Sequence, residues 1–182
     1  MVHLHKEQLE ITLDLLRKAE LVARDSLPLR ATTYNNLACY YRRTGKVRTA
    51  LSYLIQALEL EIKIDQPKTL ADTHINLCAV LSQLDRHEDA LQHSMLSIIL
   101  LQDEFLTAVL PIIARLNPND DAEPPINDER MAVLAIAYHN LGVEFEHLKR
   151  VSSVIDSSKR PSRFTGKHSV SPKKTSARTS NW

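Results

Sequence analysis

Residues Ala31 to Leu60, ATTYNNLACYYRRTGKVRTALSYLIQALEL, carry the reading that decides the fold. The large residues Tyr34, Leu37 and Tyr41 recur at spacings of three and four, the signature of one helical face. Thr44-Gly45-Lys46 then supplies a turn, since Gly is the residue that ends helices in the left-handed region. Ala50, Leu54 and Ala57 form a second stripe beyond it. The stretch is therefore two short amphipathic helices joined by a tight turn.

A second copy begins forty residues later at Ala71 and aligns without a gap: Ala31-Thr-Thr-Tyr-Asn-Asn-Leu-Ala-Cys-Tyr-Tyr against Ala71-Asp-Thr-His-Ile-Asn-Leu-Cys-Ala-Val-Leu. Asp85-Arg86 stands where Gly45-Lys46 stood, and Ala90, Ser94 and Ser97 repeat the second stripe with small residues. A weaker third copy starts at Ala135, where Tyr138-His-Asn-Leu-Gly falls on the same Asn-Leu-small core and Phe145 closes the pattern. The residue after the central Leu is small each time (Ala38, Cys78, Gly142), which predicts a close approach of two helices at that point. A fixed period of this size marks stacked helix-turn-helix units.

The large residue, the Leu-Gly/Ala pair, the aromatic and the Ala that opens the second helix resemble the tetratricopeptide repeat. The forty-residue period and the Asn-Asn-Leu-Ala string followed by Thr44-Gly45-Lys46 resemble in particular the longer repeats of kinesin light chains. The resemblance spans Ala31 to Leu101 and, in part, Ala135 to Arg150. It implies an all-α fold, a right-handed α-α superhelix of antiparallel helix pairs, with the first helix of each pair lining a concave groove.

Composition agrees with helices. Of 182 residues, 43% are hydrophobic and 25% charged, while only three are Gly and 5% aromatic, which disfavours a sheet-rich sandwich. No run of apolar residues reaches the ~18 of a membrane span and the N-terminal residues do not form a signal peptide, so a cytoplasmic protein without integral membrane contact is expected. Cys39 and Cys78 sit inside helical patterns, as free thiols of a reducing compartment would. The net charge of +1 hides an asymmetry. From Val151 onward there are seven Lys/Arg and one acid, a net of +6, against −5 for the preceding part.

In chain order, residues 1–28 hold a helix from His5 to about Arg24, either the second helix of a half repeat or a plain capping helix. Aligning Thr12, Leu16 and Ala19 with Ala50, Leu54 and Ala57 gives the first of these readings. Pro28 breaks that helix. Repeat one is placed at 31–66 and repeat two at 68–101. Residues 102–127 form a helical extension, kinked near Pro111, and an acidic Pro-rich loop. Residues 128–150 are the first helix of a truncated third repeat, capped by Asp128, and 151–182 a disordered basic tail rich in Ser and Thr. An array of this kind, opening and closing on half repeats, is expected to be a shortened or alternatively ended form of a longer one, with apolar surface left on its last helix and further repeats or self-association at its C-terminal end.

Function is expected at the groove. Asn36, Asn76 and Asn140 occupy one repeat position, and an Asn ladder can grip a peptide main chain with paired donor and acceptor; the bland reading is that Asn merely tolerates a helix surface. Neighbouring groove positions are Asn35, Cys39, Arg42 and Arg43, then Asp72, Ile75, Ala79 and Gln83, then His139, Val143 and His147. Arg42-Arg43 either meets an acidic or phosphorylated ligand or forms a solvated helix end that complements the dipole. The carboxylate clamp of chaperone-binding repeats is absent, because Asn35 and Cys39 replace its Lys-x-x-x-Asn pair. The expected role is a non-catalytic scaffold or adaptor that holds an extended peptide or partner helix, with a cytoskeletal or transport setting implied by the light-chain resemblance.

No enzyme is expected. The eight His lack metal-ligand spacing, no nucleophilic triad can be assembled, and three Gly leave no phosphate loop; no cofactor, metal or small-molecule substrate is foreseen. Ser171-Pro-Lys-Lys resembles a proline-directed phosphorylation site, and phosphate there adds about −1.5 to −2 charges to the basic tail. The alternative function is accordingly a regulator that meets an acidic surface (microtubule, membrane or nucleic acid) through this tail. Nucleic acid is disfavoured, since Phe164 and Trp182 are isolated and no aromatic interleaving supports base stacking.

Overall fold

The computed structural model describes residues 2–113 and 128–159 and contains six α-helices, with no strand among the described residues. They are α1 (Val2–Val22), α2 (Leu27–Arg43), α3 (Val47–Glu61), α4 (Leu70–Ser82), α5 (His87–Ile113) and α6 (Asp128–Lys159), with a 3-10 turn, Ala23–Asp25, after α1. Each helix packs on the next in sequence, and α2, α4 and α6 also touch in succession. This is a stack of helix pairs, α2 with α3 and α4 with α5, with α1 before them and α6 after: the tetratricopeptide-like all-α architecture.

Pro28 both stops one helix and starts another. It sits in the first turn of α2, where the missing N–H is no loss, and Ser26 caps that turn by accepting from the Leu29 N–H at 3.5 Å. The α2–α3 turn closes with two backbone bonds, Gly45 N–H to Arg42 O (3.1 Å) and Lys46 N–H to Tyr41 O (2.8 Å), with Gly45 at φ +76°. The second repeat builds the same closure, Asp85 N–H to Ser82 O (3.1 Å) and Arg86 N–H to Leu81 O (3.0 Å), but with Asp85 at φ +57°. An aspartate there carries a steric cost that the glycine avoids.

The core forms two clusters, each of which joins neighbouring helix pairs. Ala38, Ala50 and Leu54 of the first pair pack with Leu77, Cys78, Leu81 and Ala90 of the second. Ala71, Ile98 and Leu101 then meet Ala137 of α6. Tyr34 and Tyr41 both lie on Tyr53, with ring centroids at 5.7 and 5.4 Å. Forty residues on, the same contact is made by His74 and His93, stacked at 5.0 Å with their Nδ1 atoms 2.8 Å apart.

Two features differ from the sequence reading. The apolar segment after Leu101 continues the preceding helix, α5 running to Ile113. Its stretch His87–Leu110 has the length and mean hydropathy (1.3) of a membrane span, yet the helix buries Ala90, Ser94, Ser97 and Leu101 against α4 and α6. And α6 continues past Arg150 to Lys159, because its serines bond back to the helix instead of breaking it: Ser152 Oγ donates to Leu148 O (3.0 Å) and Ser153 Oγ to Arg150 O (2.7 Å). The rest of the basic tail, including Ser171, and most of the acidic Pro-rich loop lie outside the described residues.

Candidate peptide-binding surface

The helical period sorts the groove residues of α2 into two lines. Asn35, Cys39 and Arg42 are spaced i, i+4, i+7 on the side that faces α4, and Asn36 and Arg43 form a neighbouring, exposed line. Asn35 is buried, and both ends of its amide are engaged: Nδ2 donates to Thr73 Oγ1 (2.9 Å) and Oδ1 accepts from Asn76 Nδ2 (2.7 Å). Thr73 in turn donates to Glu61 Oε1 (3.1 Å), as does Thr69 (2.5 Å). A polar chain, Asn76 to Asn35 to Thr73 to Glu61, thus pins α2, α3 and α4 together. Glu61 is fully buried with Oε2 lacking a hydrogen-bond partner, and burial raises its pKa above the usual carboxylate value despite the two hydroxyl donors.

Asn35 is therefore a structural strut rather than a free groove residue. The other predicted residues divide in the same way. Asp72 is held at 3.1 Å by Arg130, whose other arm reaches Glu104 at 2.6 Å. Ile75 packs into the apolar cluster of α5 and α6. His147 stacks on His87 at 4.3 Å, where His87 Nδ1 meets the buried carboxylate of Glu144 at 2.7 Å. These contacts fasten α6. Asn36, Arg43, Gln83 and His139 are exposed, and Cys39, Arg42, Asn76, Ala79, Asn140 and Val143 half-buried.

Gly142 departs from its predicted role. Ala38 and Cys78 are buried at close helix contacts, but a Cβ built on Gly142 meets nothing within 4 Å. The buried contact of α6 is made instead by Ala137, whose carbonyl accepts from Ser94 Oγ at 2.9 Å. The small side chains at Ala90, Ser94 and Ser97 of α5 admit it.

The site holds two cations and two unreactive thiols. Arg42 Nε is buried without a hydrogen-bond partner, and neither Arg42 nor Arg43 forms an ion pair among the described residues. Burial holds the Cys39 thiol above its usual pKa, although Arg42 and Arg43 pull it down. Burial, aided by the Glu144 charge, pushes Cys78 up to about 11. Neither thiol is activated as a nucleophile. Among the described residues no cluster of His, Cys and acidic side chains could hold a metal ion.

Residues 30–61, which span nearly all of α2 and α3, match the family model of the tetratricopeptide repeat. This stretch is a tetratricopeptide repeat. No curated protein and no solved structure matches the chain. Such repeats generally bind protein partners and are generally non-catalytic, so the match points to a protein–protein interaction role. The interior polar chain that shapes this repeat was missed by sequence reasoning. Its signal is Glu61, an acid placed where the second repeat has the buried Leu101.

Proposed function

We propose that the surface formed by α2, α4 and α6 binds an extended, acidic segment of a partner protein. The observation that carries this reading is Arg42. Arg42 is half-buried and forms no ion pair among the described residues, and its guanidinium presents a fork suited to carboxylate or phosphate. Arg43 adds a second cation one residue on. Asn36 and Asn140 offer main-chain contacts along the same line of first helices, Asn76 adds its side-chain oxygen while its amide donates to Asn35, and Cys39, Ala79, Gln83, His139 and Val143 lie between them. The chain then acts as a non-catalytic adaptor. Its forty-residue period and Asn-Asn-Leu-Ala string favour kinship with kinesin light-chain repeats, and with it a cytoplasmic, transport-linked setting.

The test uses short fluorescein-labelled peptides rich in Glu, their phosphoserine counterparts, and Lys-rich controls, titrated by fluorescence polarisation against the full chain. Acidic peptides are expected to bind, to weaken with added salt, and to lose at least about tenfold in affinity in Arg42→Glu/Arg43→Glu. Asn36→Ala/Asn76→Ala/Asn140→Ala should weaken all bound sequences alike. Binding that survives both sets but vanishes when the lysines and arginines of 159–178 become Ala overturns the groove reading in favour of the basic tail.

A further inference from the structure

Two apolar faces at opposite ends of the stack have no cover among the described residues, and the molecule's own repeats show what each is shaped to meet. The first is on α1. Set against α3 with a separation of 38 residues, Leu9, Leu13 and Leu16 match Val47, Leu51 and Leu54, and all six are wholly or partly buried. Thr12, Leu15, Ala19 and Val22 are exposed, whereas their counterparts Ala50, Tyr53, Ala57 and Leu60 are not. That exposed set is the face α3 turns toward its own first helix, where Tyr53 lies between Tyr34 and Tyr41. Leu15 is 59% and Val22 82% exposed.

The second face is on α6. Tyr138, Leu141, Gly142 and Phe145 stand at the repeat positions of Tyr34, Leu37, Ala38 and Tyr41, which α3 covers, and of His74, Leu77, Cys78 and Leu81, which α5 covers. On α6, Leu141 packs against the cluster of Ile98 and Leu101 and the Tyr138 hydroxyl accepts from Gln102 Nε2 at 2.9 Å, but Tyr138 is still 48% and Phe145 54% exposed, and the space beside Gly142 is open. Neither central face carries a charged residue. α1 and α6 make no contact with each other in one chain, since α2 to α5 lie between them.

We propose that α1 of one copy packs antiparallel on α6 of a second copy, as α3 packs on α2, and completes a composite helix pair between molecules. Leu15 takes the place of Tyr53, beside Tyr138 and Phe145, with Thr12, Ala19 and Val22 along the open side of α6 at the positions of Ala50, Ala57 and Leu60. α1, at 21 residues, is long enough to span the 15 residues that α3 lays on its own first helix. The contact is heterologous, so each dimer keeps one open face of either kind and chains of copies grow head to tail. It uses neither Arg42 nor the Asn line, and its failure leaves the peptide-binding reading standing.

The experiment is sedimentation velocity on the full chain over a concentration series, with Leu15→Glu, Phe145→Glu and Gly142→Leu, all at exposed positions, and with far-UV circular dichroism to confirm their helicity. The wild type should grow beyond dimer with concentration. Leu15→Glu and Phe145→Glu should each be monomeric, yet an equal mixture should form a dimer and stop there, because it holds one intact face of each kind. Gly142→Leu, with a better helix former in open space, should keep its fold and lose association. A wild type that stays monomeric to about 1 mM, a Leu15→Glu variant that associates like the wild type (an α6–α6 contact), or a mixture that gains no dimer each overturns the proposal.

Discussion

Replacing Glu61 tests whether the polar chain between the first two repeats is held by an acceptor or by a charge. Its carboxylate is fully buried and takes two hydroxyl bonds, from Thr69 and from Thr73, which is itself fully buried. Glu61→Ala leaves the Thr73 donor without its acceptor, at about 1–3 kcal/mol, and opens a cavity worth about another 1–2 kcal/mol. Relief of the buried carboxylate offsets part of this, so a net loss of about 2–4 kcal/mol is expected, a large share of the ~5–15 kcal/mol of a typical domain. Glu61→Gln keeps an acceptor for both hydroxyls and should change stability by no more than about 1 kcal/mol near pH 5. The sign of the pH dependence separates the two. Burial raises the Glu61 pKa in the folded state, so its contribution is fully present below the unfolded value and is lost as pH rises through the folded one. Glu61→Gln should therefore gain on the wild type as pH rises from about 5 to 8, by at most ~1.4 kcal/mol per pH unit. Urea unfolding followed by circular dichroism at several pH values gives this difference directly. A difference that stays flat with pH, or an alanine variant within about 0.5 kcal/mol of wild type, refutes the reasoning.

Other outcomes follow from single positions. Burial, with the charge of His93 opposite, lowers the His74 pKa to about 4, so stability present above pH ~6.5 should fall by roughly 3 kcal/mol as pH drops through 4; His74→Tyr, the residue of the first repeat, should reduce that dependence in an acid-unfolding titration to the smaller part left by His93, whose pKa burial also lowers. Asp85→Gly should raise the thermal midpoint, by about 0.5–1 kcal/mol of relieved left-handed strain, while Gly45→Ala should lower it by about 1–2 kcal/mol. Gly142→Ala should stabilise by about 0.5–1 kcal/mol, since a mid-helix glycine there has open space beside it; differential scanning calorimetry reads both. Arg130→Ala should cost about 1–3 kcal/mol by releasing Asp72 and Glu104 together, and should speed amide exchange at the start of α6.

The repeat units were legible because their signals are local and doubled: two copies of one helix-turn-helix pattern, and the same turn closure at Gly45 and Asp85. What escaped the sequence depends on angles between elements. Asn35 and Asn36 are neighbours about 100° apart on a helix, and only the way α2 leans on α4 decides that Asn35 is buried and Asn36 exposed. The third copy aligns on Ala135, yet Ala137 is the buried contact, because α5 offers the small stripe of Ser94 and Ser97 to it. Helix breakers were overread. α5 passes through Pro111, the break before Pro28 is also the first turn of the next helix, and the serines after Arg150 donate to carbonyls three and four residues back. Of the candidate surface, the positions were legible but not their engagements, since Asp72 and His147 are tied up by partners 58 and 60 residues away.

The fastening of α6 has a consequence for its alignment. Three separate ties set its place: Arg130 near its start reaches back to Asp72 and Glu104, the Ala137 carbonyl takes the Ser94 hydroxyl, and Glu144 receives His87. The alignment of α6 is thus written in side-chain contacts spread along its length, each to a different part of the preceding repeat.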